Sequence, residues 1–177
     1  MPQTFEDVFN KIQLFDDTVI IETGSNIDIE TLFPQANDKP CAFLDDDDEL
    51  RQTPEGFERH YWPEETIAFL EIHKDNVGII SLDNDLGDPP GGREGVHVME
   101  YLRDRVVLHG DTPPDILVFH SQNPRAREKM VACAREVVKY NALNLKGENP
   151  HLLSREEAAL SKEDSYENLF NEIDPER

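Results

Sequence analysis

Three apolar segments of this chain each end in polar side chains that are suited to catalysis or metal binding. These side chains are Asp45 to Asp48 after the first segment, Asp83 and Asp85 after the second, and His120 and Ser121 after the third. Carboxylates bind hard divalent cations, and imidazole and hydroxyl groups transfer protons or hydrogen-bond to phosphoryl oxygens. These residue types therefore favour metal-assisted chemistry at a phosphoryl group.

The acidic residues predict a divalent metal site if the three segments are neighbouring strands. Two carboxylates about 4 Å apart repel each other by about 4 kcal/mol at an effective dielectric of ~20, and a bound cation offsets that cost. Oxygen ligands select Mg²⁺, Mn²⁺ or Ca²⁺, and we expect Mg²⁺ or Mn²⁺ at Asp83 together with Asp45 or Asp46. Adjacent residues of a strand face opposite ways, which leaves the choice between Asp45 and Asp46 open. The alternatives are protonation of one carboxylate and, for the Asp run alone, a solvated loop. Arg51 is expected at the surface.

The same segments predict the groups that would handle a phosphate. Asp83 or Asp85 could activate water or attack directly, and His120 could protonate the leaving oxygen. The expected phosphate contacts are Gly87, Ser121, Asn123 and Arg125. Each of these residues also has a structural alternative. His120 could be a structural histidine with its hydrogen bonds satisfied at a strand end, Ser121 could cap the next helix and Arg125 could face water.

A parallel sheet is needed to bring these side chains together, and the hydrophobic pattern predicts one. Apolar runs alternate with amphipathic helices at intervals of roughly 35 residues, which favours a three-layer α/β/α fold with helices on both faces. The predicted strands are 18–22, 41–44, 58–62, 77–82 and 115–119. The predicted helices are 4–15, 63–73, one from Val96 to Gly110 and one that begins at Pro124. Ligands of such sheets bind beyond the carboxyl ends of the strands.

The chain is expected to form one domain with an extension at each end. Residues 39–146 hold the regular alternation of strands and helices. Residues 1–38 add a helix and a strand, and residues 147–177 are polar and acidic with a helical pattern. Either extension could dock a protein partner.

The charge of the chain limits its partners. It has 38 acidic and 17 basic residues and a net charge of −21, which disfavours extended nucleic-acid backbones and anionic membranes. A phosphorylated small molecule or a nucleic-acid end is compatible with this charge. No apolar stretch approaches the roughly 20 residues that span a bilayer, and no signal-peptide pattern is present. The positions of Cys41 and Cys133 in apolar segments predict two buried thiols. Free thiols are typical of a reducing compartment, so we expect a cytoplasmic protein.

Three motifs of the chain resemble a known family. FLDDDDELR, ISLDNDLG and ILVFHSQNP, in this order, resemble the cyclic-phosphate-processing receiver domains, relatives of response-regulator receivers, over about residues 41–140. The resemblance implies a flavodoxin-like fold, with Asp45 and Asp46 as metal-binding acids and Asp83 in the phosphoacceptor place. It makes Asp85 an added site acid and puts His120 and Ser121 where receivers keep a hydroxyl residue.

One element of ordinary receivers is missing from the pattern. They carry a Lys at the end of a fifth strand, but after residue 140 only Lys146 is a faint candidate. The Thr18–Glu22 segment is an alternative cover for the sheet edge. Without that Lys, the phosphoester chemistry proposed for the family is favoured over a phosphorylation switch.

Three functions fit these observations. The first is a divalent-metal-dependent phosphodiesterase or phosphohydrolase that acts on the cyclic or terminal phosphate of a nucleotide or RNA end. The second is a non-catalytic receiver-like module that signals or binds a ligand. The third, ranked last, is a haloacid-dehalogenase-like phosphatase built on Asp45 and Asp47.

Overall fold

Six strands form one sheet in the order β1-β2-β6-β5-β3-β4. The structure is a computed structural model, and it describes residues 12–23, 38–47, 49, 51–87 and 92–154. The strands are β1 (Ile12–Leu14), β2 (Val19–Glu22), β3 (Cys41–Leu44), β4 (Phe57–His60), β5 (Ile79–Leu82) and β6 (Ile116–Phe119). β1 runs antiparallel to β2, and every other neighbouring pair is parallel. This mostly parallel sheet with helices is the α/β fold that the sequence predicts.

The three strands that lead to the acidic and histidine residues lie inside the sheet. All residues of β3, β5 and β6 are buried, as expected for apolar strands covered on both faces, and Ser81 of β5 is the one polar residue among them. β5 lies between β3 and β6, so the carboxyl ends of the three strands are side by side at one edge of the sheet.

Three helices follow the strands within the described part of the chain. They are α1 (Pro63–His73), α2 (Gly95–Asp104) and α3 (Pro124–Lys146), and α2 continues as a π-helical turn over Arg105–His109. Pro63 and Pro124 lie in the first turns of α1 and α3, where a missing N–H costs no hydrogen bond. Gly110 follows the π-helical turn in the left-handed conformation, with φ of 75°, as predicted for a helix end. No helix among these residues is both long and apolar enough to cross a membrane.

The described helices all pack on one face of the sheet. Leu44, Leu82 and Phe119 share a core with residues of α1, α2 and α3. The opposite face contributes a second cluster that includes Cys41 and Val118. The predicted tail helices beyond residue 154 lie outside the described residues, and a helical layer on the second face stays a prediction.

The predicted helix over residues 4–15 is wrong at its end. Residues 12–14 form β1, in which Ile12 pairs with Ile21 of β2. The helical spacing of apolar residues at 5, 8, 9 and 12 suggested otherwise, but pairing with a neighbouring strand overrides such local preferences. Residues 4–11 of that helix lie outside the described residues.

β2 covers the sheet edge that β6 would otherwise expose. It pairs in parallel with β6, from Val19 with Ile116 to Glu22 with Phe119. Lys146 lies in the last turn of α3 and is not part of a strand. The alternative that the Thr18–Glu22 segment covers this side of the sheet is therefore confirmed, and β1, which pairs with β2, is the outermost strand there.

Candidate functional site

Asp45, Asp83 and His120 occupy the same position on three neighbouring strands. Leu44 pairs with Leu82 and Leu82 with Phe119, so the next residue of each strand is one of these three. One ligand atom from each of the three side chains lies within 4.8 Å of the other two, and all three residues are buried. The sheet register thus brings two carboxylates and an imidazole into one small group, as their order in the sequence predicts.

The Asp45 carboxylate is fully buried and strongly hydrogen-bonded. Its Oδ1 accepts from the backbone N–H of Asp47 at 2.8 Å, and its Oδ2 accepts from Arg51 Nη1 at 2.7 Å. His120 Nε2 is 3.1 Å from the same Oδ2. Burial acts to raise the pKa of Asp45, but the hydrogen bonds from His120, Asp47 and Arg51 outweigh it and lower the pKa below its ordinary value. Asp45 is therefore a carboxylate at neutral pH.

Asp83 is held at the end of β5 by the loop that follows it. Its Oδ1 accepts from the backbone N–H groups of Asn84 at 2.6 Å and Asp85 at 3.3 Å. Its Oδ2 accepts a short hydrogen bond from Arg51 Nη1. The two Oδ2 atoms, one from Asp45 and one from Asp83, consequently share a single guanidinium nitrogen.

Arg51 is a site residue, and its expected place at the surface is wrong. Its side chain is only 15% exposed because the connection after β3 folds back and inserts the guanidinium between Asp45 and Asp83. The Arg51 carbonyl accepts from Arg59 Nη1 at 2.9 Å, which fixes the backbone of that turn. In this structure the repulsion between the two carboxylates is therefore offset by an arginine, where the sequence suggested a metal ion or a proton.

Arg59 supports the same carboxylate from the neighbouring strand β4. Its Nη2 donates to the Asp45 carbonyl at 2.9 Å and lies 3.6 Å from Asp45 Oδ1. Its guanidinium lies over the rings of Phe43 and Tyr61, at 5.5 and 5.3 Å from their centroids. Because the fork is stacked and hydrogen-bonded, it adds a fixed positive charge behind the acidic pair.

His120 is fixed on both ring nitrogens. Its Nδ1 lies 2.8 Å from Ser81 Oγ, and its ring stacks on Phe43 with 4.7 Å between centroids. A neutral ring satisfies both contacts if Nε2–H donates to Asp45 and Nδ1 accepts from the Ser81 hydroxyl. Ser81 and Phe43 therefore determine how the imidazole faces the carboxylates.

Asp46 lies close enough to Asp45 and Asp83 to interact with their charges. A Cβ at Gly87 would come within 2.9 Å of Asp46 Oδ2, so the two predicted site residues are in close contact. Partial burial, and then the negative charges of Asp45, Asp83 and Asp47, raise the pKa of Asp46 above its ordinary value. Of the two acids left open by the sequence, Asp45 faces Asp83 and His120, and a metal role for Asp46 stays a prediction.

The other predicted site residues surround this group. Asp85 is exposed, and its Oδ1 accepts from Asn84 Nδ2 at 2.9 Å and from Asn123 Nδ2 at 3.3 Å. Ser121 is fully buried, and its Oγ accepts from the Asn123 backbone N–H at 3.2 Å. Arg125 is exposed on the first turn of α3. The capping role considered for Ser121 is wrong, because the residue that caps α3 is Asn123, whose Oδ1 accepts from the Ala126 backbone N–H at 3.2 Å. Asn123 also links α3 to Asp85 in the loop after β5.

Gly95 determines how closely α2 approaches the site. A Cβ at this position would lie 1.9 Å from the Asp83 carbonyl oxygen, so only glycine fits. The Gly95 N–H donates to the Asn84 carbonyl at 3.2 Å, and the Asn84 side-chain oxygen accepts from Val96 N at 3.1 Å. The sequence shows a glycine after a turn but not this contact, because the contact joins residues twelve positions apart.

A comparison with protein families identifies the family of this chain. The family model described as "Cyclic-phosphate processing Receiver domain" matches residues 42–136, which is more than half of the chain. The chain belongs to this family. The family resemblance seen in the sequence is therefore confirmed, and the family's description suggests a phosphoester-processing role and a phosphorylated substrate. No curated protein and no solved structure matches the chain.

This cyclic-phosphate processing receiver domain departs from ordinary receivers in the strand beside β6. β2, which lies before the matched residues, fills the place beside β6 and is followed by Thr23. The cation that contacts Asp83 is instead Arg51, from the connection after β3. Asp45, Asp83 and His120 form a donor set that could hold a metal ion.

Proposed function

We propose that this chain is a divalent-metal-dependent phosphodiesterase or phosphohydrolase that acts on the cyclic or terminal phosphate of a nucleotide or RNA end. The observation that carries the proposal is the group formed by Asp45, Asp83 and His120, within 4.8 Å of one another at the carboxyl edge of the sheet. The description of the family, cyclic-phosphate processing, supports a phosphorylated substrate. A cytoplasmic location and docking of a protein through the terminal extensions belong to the same proposal.

The acidic residues of the site are the ligands for the proposed ion. Asp45 and Asp83 would hold Mg²⁺ or Mn²⁺, with Asp46 as the third predicted acid. A bound ion of this kind neutralises the charge that builds up on phosphoryl oxygens during transfer. Asp85, exposed and hydrogen-bonded by two amide groups, can accept a proton from an attacking water, and Asp83 is the alternative base or nucleophile.

His120 is the proposed proton donor to the leaving oxygen. Its buried ring is oriented by Ser81, so Nε2 faces the carboxylates with little rotational freedom. Gly87, Ser121, Asn123 and Arg125 are the proposed phosphate contacts. A metal ligand could not also donate a proton from the same nitrogen, so His120→Gln separates the two roles. A proton donor loses turnover and keeps Mn²⁺ binding, whereas a ligand loses both.

Turnover on a defined panel of substrates tests the proposal. The panel consists of cyclic mononucleotides, cyclic dinucleotides and RNA with a 2′,3′-cyclic phosphate end, each assayed with Mg²⁺ or Mn²⁺. We expect hydrolysis of at least one substrate class, and its loss in Asp83→Asn. Asp115→Asn is the matched control, because Asp115 precedes β6 at the opposite end of the strand and pairs with Lys39 at the surface.

A non-catalytic signalling module is the second candidate. Asp83 stands in the phosphoacceptor place that the resemblance implies, which favours this reading. The lack of a lysine at the end of β2, the strand beside β6, counts against it. An ordinary receiver has a Lys at the end of the strand in this place, whereas the residue after β2 is Thr23. Acetyl phosphate separates the candidates, because a stable phosphoryl adduct on Asp83 supports signalling and turnover without an adduct supports the enzyme.

A further inference from the structure

Arg51 occupies the position at which a cation would bridge Asp45 and Asp83. We propose that Arg51 and the divalent cation exclude each other at these carboxylates, and that a bound phosphate draws the arginine away, so that cation and phosphate bind cooperatively. This inference rests on the proposed function, since it concerns how the same site takes up its metal and its substrate.

The hydrogen bonds of the two carboxylates leave only one oxygen of each for a cation. Both Oδ1 atoms accept from backbone N–H groups, at 2.8 Å for Asp45 and at 2.6 and 3.3 Å for Asp83. Both Oδ2 atoms are bonded to Arg51 Nη1. Mg²⁺ binds carboxylate oxygens at about 2.0–2.1 Å and cannot approach an oxygen pair that already encloses a guanidinium nitrogen. The ion therefore has to displace Arg51.

The backbone around Arg51 allows the side chain to leave without unfolding the turn. The Arg51 N–H donates to the Asp47 carbonyl at 3.1 Å, and its own carbonyl accepts from Arg59 at 2.9 Å. Neither bond involves the guanidinium, which is joined to the carboxylates alone among the contacts described and is 15% exposed. Rotation about the side-chain bonds is sufficient to turn it from the carboxylates towards solvent.

A phosphate at the mouth of the site would stabilise the displaced arginine. Asp46, which interacts with the charges of Asp45 and Asp83, and the exposed Asp85 lie nearby, and their charges repel an anionic ligand. A guanidinium matches phosphate geometry with paired N–H donors. Phosphate would thus hold Arg51 away from Asp45 and Asp83 and lower the cost of cation binding. By linkage, the cation then raises the affinity for phosphate by the same factor.

Calorimetric titration of the full chain with Mg²⁺, with and without inorganic phosphate, tests this coupling. We expect phosphate to raise the Mg²⁺ affinity of the wild type about tenfold or more, within the usual range of coupling between sites. Arg51→Met removes the competitor, so it should bind Mg²⁺ about tenfold or more tightly without phosphate and gain little when phosphate is added. Arg135→Gln, an exposed arginine bonded to Gln13, is the control and should behave as the wild type.

Each outcome is decisive. Equal or weaker Mg²⁺ binding by Arg51→Met, or equal phosphate coupling in the two proteins, overturns the role of Arg51 and leaves the metal site intact. No Mg²⁺ uptake by either protein overturns the proposed function as well. If Arg51→Met is unfolded until Mg²⁺ is added, that rescue supports the proposal. If Arg51→Met stays unfolded with Mg²⁺, the titration is repeated with Arg51→Lys. We expect Arg51→Lys to bind Mg²⁺ more tightly than the wild type does, and an affinity equal to that of the wild type contradicts the proposal.

Discussion

Removal of the Arg51 charge should destabilise the metal-free protein by a predictable amount. In Arg51→Met, measured in EDTA, Asp45 and Asp83 keep their positions at the strand ends but lose the guanidinium between their Oδ2 atoms. Methionine preserves much of the side-chain length and removes the charge. The change therefore leaves two buried carboxylates facing each other.

The structure sets the size of the effect. The ligand atoms of Asp45 and Asp83 lie within 4.8 Å of each other, and two unit charges at that distance repel by about 3.5 kcal/mol at an effective dielectric near 20. Removal of one partner from a buried ion pair typically costs about 3–5 kcal/mol. We expect a loss of about 3–4 kcal/mol in the free energy of unfolding. For a domain of this size that is a fall of about 6–16 °C in Tm.

Urea unfolding followed by circular dichroism at pH 7 in EDTA measures this loss. Asp83→Asn in the Arg51→Met background removes one of the two charges and should recover at least half of it. Arg103→Met, in which the lost arginine pairs with Asp104 at the surface, should cost less than about 1 kcal/mol. A loss below about 1 kcal/mol in Arg51→Met, or no recovery in the double variant, would refute the reasoning.

Three further predictions concern stability and protonation. The pKa of Asp45 is lowered on folding, so its ionised form stabilises the folded protein at pH values above the ordinary aspartate pKa near 3.9. This contribution is lost as the pH falls through the pKa that Asp45 has in the folded protein. Tm measured from pH 2 to pH 7 should therefore fall below about pH 4, and it should fall less steeply in Asp45→Asn. The pKa of Asp46 is raised, so Asp46→Asn should have a higher Tm than the wild type at pH 7 and no advantage at pH 2.5, whereas a lower Tm at pH 7 would contradict the charge account. Gly95→Ala should cost about 2–4 kcal/mol in urea unfolding, because its Cβ meets the Asp83 carbonyl at 1.9 Å; a loss below about 0.5 kcal/mol would mean that α2 does not approach the site so closely.

Much of the fold is predictable because the central strands are buried on both faces. Such strands appear in the sequence as short apolar runs, and β3, β5 and β6 have this form, with Ser81 of β5 as the one polar residue. Parallel strands that end at one edge bring their next residues together. For this reason the association of Asp45, Asp83 and His120 could be predicted from the order of the motifs.

The parts that could not be predicted depend on contacts between residues distant in the sequence or in irregular connections. Arg51 lies in a connection without periodicity, and only its folded path shows that its guanidinium reaches Asp83, 32 residues later. The tight approach of Gly95 to Asp83 and the pairing of Ile12 with Ile21 are likewise set by tertiary structure. An arginine six residues after a strand-end aspartate was the available signal, but many surface loops have the same pattern.

Anomalous diffraction from crystals soaked in Mn²⁺ would show whether a divalent cation replaces Arg51 between the two carboxylates. We expect a manganese peak bound by Asp45 Oδ2 and Asp83 Oδ2, with the Arg51 guanidinium turned away from both oxygens. A map with no peak at these carboxylates, and with Arg51 still between them at saturating Mn²⁺, would contradict this expectation.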